Sequence, residues 1–270
     1  MANISVDFNN KDKYPDVPLN GRNKKSISWF PKNIENLLDG GCSFGYGTIY
    51  YSKYAKNTFG AEIDTTHYEV AKNRFKNIEF VNTALESTPF QNDFFDVVVL
   101  NDVLEHTNDK IQTLSELHRI MKKDGVLILS TPHKGLFQFL DPYNYGYFLK
   151  KYFKFIYIPL YYIIRFLKTG KFPTDFNPEH GVKHYHYNIK DYKDMLKKSS
   201  FGDNYEITDL SRSGLILEPI YYNLERIFDI FLPLKIKNFI LKPFFWLASV
   251  EYWLPTGIFA YNIAARIIKK

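Results

Sequence analysis

The alternation of short apolar runs with helix-periodic segments between residues 34 and 131 most constrains the fold of this chain. The runs predict strands at 34–38, 58–63, 78–81, 95–100 and 126–130, and the segments between them predict helices at 45–56, 67–75 and 110–122. Such alternation is typical of a mostly parallel sheet with helices on both faces. The run FDVVVL at 95–100 is apolar on both faces, as a central parallel strand requires. We therefore predict an α/β fold.

Beyond residue 131 the alternation stops and aromatic residues dominate. The pattern predicts a helix at 190–198, a strand at 205–210 and a last strand at 258–268. We expect residues 1–30 to be a polar, loosely ordered N-terminal arm and residues 31–270 to be a single domain. Two aromatic-rich insertions, at about 135–180 and 219–255, are interpreted as a substrate or lid region.

Composition and charge narrow the class of protein. With 45% hydrophobic and 24% charged residues among 270, the chain can bury a sizeable core and is not a disordered or low-complexity protein. Residues 1–149 carry a net charge of −2 and residues 150–270 carry +8. The basic half favours an anionic partner, such as a phosphorylated or lipid-linked substrate or a membrane surface. Ordinary solubilising lysines are the alternative interpretation.

The expected location is cytoplasmic. Cys42 is the one cysteine, so the chain cannot form an internal disulfide. The first residues lack the basic start and apolar run of a signal peptide. The apolar stretch 155–167 is too short to span a bilayer, and 243–268 is interrupted by Pro255 and charged residues. Peripheral attachment to the inner face of a membrane stays open.

The segment LLDGGCSFG at 37–45 ends a predicted strand in a turn of small residues that enters a helix. Ligands of open α/β sheets bind at the carboxyl ends of the strands, so this turn predicts a cofactor site. A dinucleotide fingerprint needs glycine at the first, third and sixth positions. Counted from Gly41, these positions hold Ser43 and Tyr46, so that fingerprint is absent.

Three further motifs follow in order: GAEID at 60–64, FVNTALESTPF at 80–90, and FFDVVVLNDVLEH at 94–106 with HRIMKKDGVLILSTP at 118–132. Together with the glycine turn they resemble the class I S-adenosylmethionine-dependent methyltransferases, most closely the type 11 group and the O-methyltransferases of quinone biosynthesis. The resemblance implies a Rossmann-like, seven-stranded, mostly parallel sheet.

The resemblance also implies S-adenosyl-L-methionine as cofactor. Asp64 resembles the acid that binds the ribose, although it could instead cap the following helix. Ser43 replaces the usual middle glycine, and Ala84 stands where many relatives have aspartate. The expected cofactor-binding residues are Asp39, Gly41, Ser43, Gly45, Asp64, Leu85 and Asn101.

Methyl transfer to a hydroxyl needs positioning and removal of one proton, and histidine is suited to that proton transfer near neutral pH. The candidate bases are His106, in the Leu-Glu-His motif, and His184 and His186. His106 could instead brace the turn in which it lies. We predict no metal, since no tight ligand spacing supports one; the alternative would combine Glu105 and His106 with the downstream histidines.

The sequence therefore predicts a methyltransferase acting on a hydroxyl of a small-molecule, glycan or lipid-linked acceptor. A catalytically degenerate binding or scaffold protein is the first alternative, because of Ser43 and Ala84. Nucleic-acid methylation is less expected, since no Asn-Pro-Pro-Tyr-like segment follows the fourth strand and the basic residues are scattered. The oligomeric state and the choice among O, N and C attack stay open.

Overall fold

The computed structural model describes residues 19–141, 144, 147–148, 151–172 and 184–270. The chain divides into two compact units. The first unit comprises Met1–Thr131, Tyr187–Ser211 and Asn262–Lys270, and the second comprises Pro132–His186 and Arg212–Tyr261. Each unit is described by itself below.

A seven-stranded sheet carries the fold, with strand order β3-β2-β1-β4-β5-β7-β6. The strands β1 to β7 are Ile34–Gly40, Ala55–Glu62, Glu79–Asn82, Phe95–Asn101, Met121–Pro132, Tyr205–Ser213 and Asn262–Lys269. β1 pairs in parallel with both β2 and β4, β2 with β3, and β4 with β5. The chain leaves β1 toward one edge and returns to β4 on its other side, so the switch point of the sheet lies between β1 and β4. The predicted Rossmann-like α/β fold is confirmed.

Eight α-helices have both ends within the described residues. They are α1 Gly21–Ser28, α2 Tyr46–Tyr51, α3 Thr65–Arg74, α4 Lys110–Ile120, α5 Lys154–Thr169, α6 Ile189–Lys198, α7 Leu217–Phe231 and α8 Leu234–Glu251. Short 3-10 helices lie at Leu104–His106, Leu136–Leu140 and Gly257–Phe259. None of the helices within the described part of the chain is long and apolar enough to cross a membrane.

The core of the first unit lies around the two central strands. Val97, Val98 and Leu100 of β4 are fully buried, which agrees with the expectation that this strand is covered on both faces. Phe95, at the start of β4, packs edge-to-face against Phe94 with 4.9 Å between ring centroids. On α4, Leu114, Leu117 and Ile120 recur three residues apart and are all buried, so one face of that helix covers the sheet.

Four of the five described helices of the first unit start at side-chain caps, and α2 starts at Gly45 without one. Asn20, Asp64, Asp109 and Asn188 each accept backbone N–H groups at the starts of α1, α3, α4 and α6. Asn188 forms a complete capping box, because Asp191 in turn accepts its backbone N–H. These bonds satisfy donors that the first turn of a helix leaves unpaired.

Several expected boundaries were wrong in detail. The helix expected at 45–56 ends at Tyr51, because β2 begins at Ala55. Residues 21–28 of the expected loose arm form α1, because Asn20 caps the helix and Arg22 pairs with Asp102 at the end of β4. The last strand begins at Asn262 rather than at residue 258, because the 3-10 helix Gly257–Phe259 precedes it.

The second unit contains both predicted insertions within its ranges, and their role as a substrate or lid region stays a prediction. Its helices α7 and α8 are joined at the start of α7. There the buried Glu251 carboxylate accepts the backbone N–H groups of Ile216 and Leu217 at 3.2 and 3.0 Å. The rings of Tyr221 and Phe245 pack at 5.7 Å between the same two helices.

Candidate functional site

The glycine turn follows β1 directly and enters α2. Gly41 and Gly45 have φ values of 68° and 77°, which glycine adopts without steric cost. A Cβ on Gly41 would lie 2.5 Å from Cγ2 of Val103, so space as well as conformation requires glycine there. Ser43 has a φ of 48°, so it holds the left-handed conformation that the family's middle glycine would adopt freely.

Four backbone donors of this turn already form hydrogen bonds, three of them to the end of β2 and one within the turn. The N–H groups of Gly41 and Cys42 donate to the carbonyl oxygen of Ala61 at 2.8 and 3.1 Å, and Gly45 N–H donates to Cys42. Ser43 N–H donates to Oε2 of Glu62 at 2.8 Å. Because these four donors are engaged, the turn does not offer them to a phosphate group.

Glu62, the last residue of β2, is the acid beside the glycine turn. Its Oε2 accepts from Ser43 N–H, and its Oε1 accepts the backbone N–H of Asp64 at 2.9 Å. Glu62 is buried. The acid expected from the sequence is Asp64, two residues later, and Glu62 was not among the expected site residues. The feature that could have identified Glu62 is its position: it is the last residue of β2, the strand that pairs with β1.

Asp64 lies at the N-terminus of α3 and is exposed. Its Oδ1 accepts the backbone N–H of His67 at 2.9 Å, which is the geometry of a helix N-cap. The alternative interpretation of Asp64 as a cap therefore describes its observed contact.

Asp39 is a second buried carboxylate at the carboxyl end of β1. Burial raises the pKa of Asp39 from 3.8 to about 7, the 2.7 Å hydrogen bond from Thr48 Oγ1 opposes that rise, and the charge of Glu62 adds to it. A positive charge next to Asp39 would favour its ionised form. The carboxyl ends of β1 and β2 thus offer two acidic groups side by side.

Asn101, at the end of β4, joins a polar network with α1. Its Oδ1 accepts from Ser26 Oγ at 3.1 Å and from Ser130 Oγ at 2.8 Å, and its Nδ2 donates to the Tyr51 hydroxyl at 2.9 Å. Asn23 of α1 accepts from the same tyrosine at 2.8 Å. Asn101 therefore holds α1 against the end of β4. This contact was not expected, because the N-terminal residues were predicted to form a loose arm.

Leu85 is buried and contributes to the main apolar cluster. Its methyl groups would lie 3.3 Å from a Cβ on Gly40, so it closes the space over the end of β1. This position agrees with an apolar wall beside the glycine turn.

The predicted histidines fall in both units. His106 is exposed, ends the 3-10 helix after β4 and belongs to the first unit, as do the predicted cofactor-binding residues. His184 and His186 belong to the second unit, where both contact Asp141. Sequence reasoning missed Asp141, because 43 residues separate it from His184 and no local spacing links them.

Comparison with known proteins adds to this geometry. Residues 38–129 match the family model described as a methyltransferase domain. This part of the chain is thus similar to a methyltransferase domain. The match spans β1 through most of β5, and so includes the glycine turn, Glu62 and Leu85.

Two relatives with curated descriptions match part of this chain. A probable S-adenosylmethionine-dependent methyltransferase of Mycolicibacterium smegmatis is 29% identical over 102 residues, which is 38% of this chain and 40% of that protein. A ubiquinone/menaquinone biosynthesis C-methyltransferase of Coxiella burnetii is 29% identical over 75 residues, or 26% of this chain and 30% of the relative. The chain thus spans two fifths or less of the length of these relatives.

Solved structures share the fold over most of both chains. A methyltransferase from Thermotoga maritima described as a possible histamine N-methyltransferase aligns with a TM-score of 0.55 at 13% identity, covering 93% of this chain and 88% of the other. A methyltransferase from Aquifex aeolicus aligns with a TM-score of 0.52 at 12% identity, covering 96% and 97%. At such identities the likeness concerns the fold alone.

Proposed function

We propose that this protein is an S-adenosylmethionine-dependent methyltransferase that methylates a hydroxyl of a small-molecule, glycan or lipid-linked acceptor. The observation that carries the proposal is the pair of buried carboxylates, Asp39 and Glu62, beside the glycine turn at the switch point of the sheet. Two acids suit a ligand that combines hydroxyl donors with positive charge, and they do not suit a phosphate.

The residues of the first unit fit this cofactor. A carboxylate oxygen accepts more than one hydrogen bond, so Glu62 retains capacity for the two ribose hydroxyls while it holds the turn. Asp39 would hold the cationic amino-acid end. Leu85 supplies an apolar surface for the adenine, and Gly41 allows the backbone to approach the ligand closely. When bound, S-adenosylmethionine supplies a methyl group on a positively charged sulfur.

An acceptor hydroxyl must lose its proton as its oxygen forms the bond to the methyl carbon and the carbon–sulfur bond breaks. We assign this proton to the imidazole of His106, because it follows β4 in the unit that holds the two carboxylates. The products are the methyl ether, S-adenosylhomocysteine and one proton, which the imidazole returns to water.

Calorimetric titration with S-adenosylhomocysteine tests the cofactor assignment. We expect the wild-type chain to bind, and Glu62→Gln to lose about 10-fold or more in affinity because charge-assisted hydrogen bonds contribute about 1.5–3 kcal/mol. The matched control is Asp64→Asn, which should stay within about threefold of wild type since asparagine caps a helix as well as aspartate does. Absence of binding by the wild-type chain, or equal losses in both variants, would overturn the assignment.

A second candidate function is binding without catalysis, which the left-handed serine at position 43 favours. Transfer of a labelled methyl group into lipid and glycan extracts separates the two candidates. Binding of S-adenosylhomocysteine with no transfer into any extract would favour the binding protein. Transfer that is lost in His106→Ala would support the catalytic assignment.

Among the proposed acceptors, the second unit favours a lipid-linked one at an anionic membrane surface. Its ranges carry 13 lysines and arginines against 7 aspartates and glutamates, a net charge of +6, which equals that of the whole chain. Exposed apolar side chains lie on the same helices as exposed basic ones. On α5 and α8 they include Phe155, Ile163, Phe239 and Trp246, near Lys154, Lys235 and Lys242. Apolar area together with basic charge is what binds a protein to anionic lipid.

Sedimentation with vesicles tests this surface. Vesicles containing anionic phosphatidylserine should carry the protein down at low salt, and neutral phosphatidylcholine vesicles should carry down much less. The double variant Phe239→Ala/Trp246→Ala should reduce binding, whereas Ile63→Ala, which removes an exposed apolar side chain from the first unit, should leave it unchanged. Equal sedimentation of wild type and double variant would contradict the proposal.

A further inference from the structure

A carboxylate and two imidazoles of the second unit converge on one point. Nδ1 of His184 lies 2.5 Å from Oδ2 of Asp141, and Nε2 of His186 lies 2.9 Å from the same oxygen. The three donor atoms lie within 4.8 Å of one another. The two histidines thus direct ring nitrogens at a single carboxylate oxygen rather than at separate groups.

The two histidines are close neighbours in the sequence. They are two residues apart with only Tyr185 between them. Tyr185 is exposed, whereas both histidines contact the buried Asp141. The pattern His-x-His thus brings both rings to one carboxylate while the tyrosine between them stays exposed.

Hydrogen bonds of Asn144 hold this segment in place. The backbone N–H of Asn144 donates to the carbonyl oxygen of Asp141 at 3.2 Å. The Asn144 amide then contacts the backbone of His184 twice, accepting from its N–H at 3.1 Å and donating to its carbonyl at 3.3 Å. Asn144 binds the backbone of His184, and Asp141 contacts the side chains of His184 and His186. These hydrogen bonds fix the positions of the three donor atoms.

Burial makes this arrangement chemically specific. The side chain of Asp141 is fully buried, and those of His184 and His186 are 10% and 5% exposed. Ionised carboxylates are costly to bury unless they are paired or bind a metal. Two imidazole nitrogens and one carboxylate oxygen form a donor set that suits zinc, iron and related divalent ions, and suits magnesium and calcium poorly.

We propose that Asp141, His184 and His186 form a binding site for one divalent transition-metal ion, with Zn²⁺ as the representative ion. Bonds of about 2.0–2.2 Å from a tetrahedral or octahedral ion separate adjacent donors by roughly 3.0–3.5 Å. The observed separations of 2.5 and 2.9 Å are those of the same atoms sharing protons, so metal binding requires only a small outward movement. Three protein ligands leave coordination positions for water or for an acceptor oxygen. The site is independent of cofactor binding by the first unit, so it stands or falls separately from the proposed methyl transfer.

Titration of the chelator-treated full chain with Co²⁺ and Zn²⁺ tests the proposal. We expect one equivalent of Co²⁺ to give visible absorption bands of a bound ion, and one equivalent of Zn²⁺ to displace it. Mg²⁺ in millimolar excess should neither displace the Co²⁺ nor change its spectrum. Affinity should fall as pH is lowered, because protons compete for the imidazoles.

Variants locate the ion. Asp141→Asn, His184→Ala and His186→Ala should each weaken Co²⁺ binding by about 100-fold or more, since even outer-shell partners of metal ligands contribute about 10- to 100-fold. His118→Ala, in the first unit, is the matched control and should bind as wild type does. Asp141→Asn conserves shape, and a circular dichroism melt of each variant shows whether it is folded. The proposal is overturned if the wild type binds no equivalent of either ion, or if the folded Asp141→Asn variant binds as tightly as the control. A cluster that only shares protons would give the first of these results together with a lower melting temperature in the three variants.

Discussion

The two units differ in the burial of their apolar side chains and in the capping of their helix N-termini. In the first unit, alternating strands bury their apolar residues, and asparagine or aspartate caps α1, α3, α4 and α6. In the second unit, many aromatic and aliphatic side chains are exposed, and α5, α7 and α8 start without a side-chain cap. Apolar composition alone therefore does not show which side chains of this chain are buried.

Two phenylalanines give the largest test of this contrast. Phe95 is fully buried, whereas Phe239 is 81% exposed. We expect Phe95→Ala to lower the free energy of unfolding by about 3–5 kcal/mol, because it leaves a cavity in a packed core. Phe239→Ala should change it by less than about 0.5 kcal/mol. Urea unfolding followed by circular dichroism measures both, and a loss above about 2 kcal/mol in Phe239→Ala would show that α8 belongs to a core.

Each unit also contains a buried carboxylate, Asp39 in the first and Glu251 in the second. Substitution of Asp39 has the larger expected effect on stability. The pKa of Asp39 is raised in the folded chain to about 7, so the unfolded chain ionises at lower pH than the folded chain does. Near pH 3 both states are protonated and Asp39 costs nothing. Between about pH 4 and pH 7 stability falls as pH rises, and above pH 7 the cost is constant at no more than about 4 kcal/mol.

Asp39→Asn removes that cost, so the variant should be more stable than wild type at pH 8 and close to it at pH 4. Urea unfolding at both values measures the difference. The same variant should lose the rise in affinity for S-adenosylmethionine that we expect between pH 6 and pH 8 in wild type, since a cation prefers the ionised carboxylate. A wild-type difference that persists unchanged in Asp39→Asn would mean that another group titrates.

Glu251 is the corresponding buried acid of the second unit, and its contacts are structural. It accepts the N–H groups of Ile216 and Leu217 where α7 begins without a side-chain cap. Glu251→Ala should destabilise the chain by about 1–3 kcal/mol, because two backbone donors lose a buried acceptor. Glu251→Gln keeps one acceptor oxygen and should lose less. Hydrogen exchange of the α7 amides locates the effect, and unchanged exchange in Glu251→Ala would contradict this role.

The same contrast explains what could be read from the sequence. β4 was predicted within one residue, because three consecutive valines at 97–99 are followed by Leu100 and favour a buried strand. β5 was predicted at 126–130 but begins at Met121, because Lys122, Lys123 and Asp124 interrupt its apolar pattern. The glycine turn could be predicted because backbone positions with positive φ favour glycine, and these glycines are visible in the sequence.

Residues whose partners are distant in the sequence could not be recognised from a local pattern. Glu62 was passed over because the motif holds two acids and only the strand register shows which one meets the glycine turn. α1 is held by Asn101 and Asp102, which lie more than 70 residues away, so its polar sequence resembled a loose arm. Asp141 and its histidines likewise come together only in the folded chain.

Substitutions at helix N-caps have the smallest expected effects, and they test whether the two units differ in the hydrogen bonds at helix starts. Asn188→Ala removes the capping box of α6 and should cost about 1 kcal/mol of global stability. In the second unit, Phe153 lies at the N-cap position of α5 with no side-chain cap, so Phe153→Asp should slow hydrogen exchange in the first turn of α5. Aspartate also places a negative charge at the positive end of the helix dipole, whereas Phe153→Ala supplies neither effect and serves as the control. If Phe153→Asp and Phe153→Ala exchange alike, the start of α5 is ordered by contacts other than its first-turn hydrogen bonds, and missing caps would not be what distinguishes the second unit.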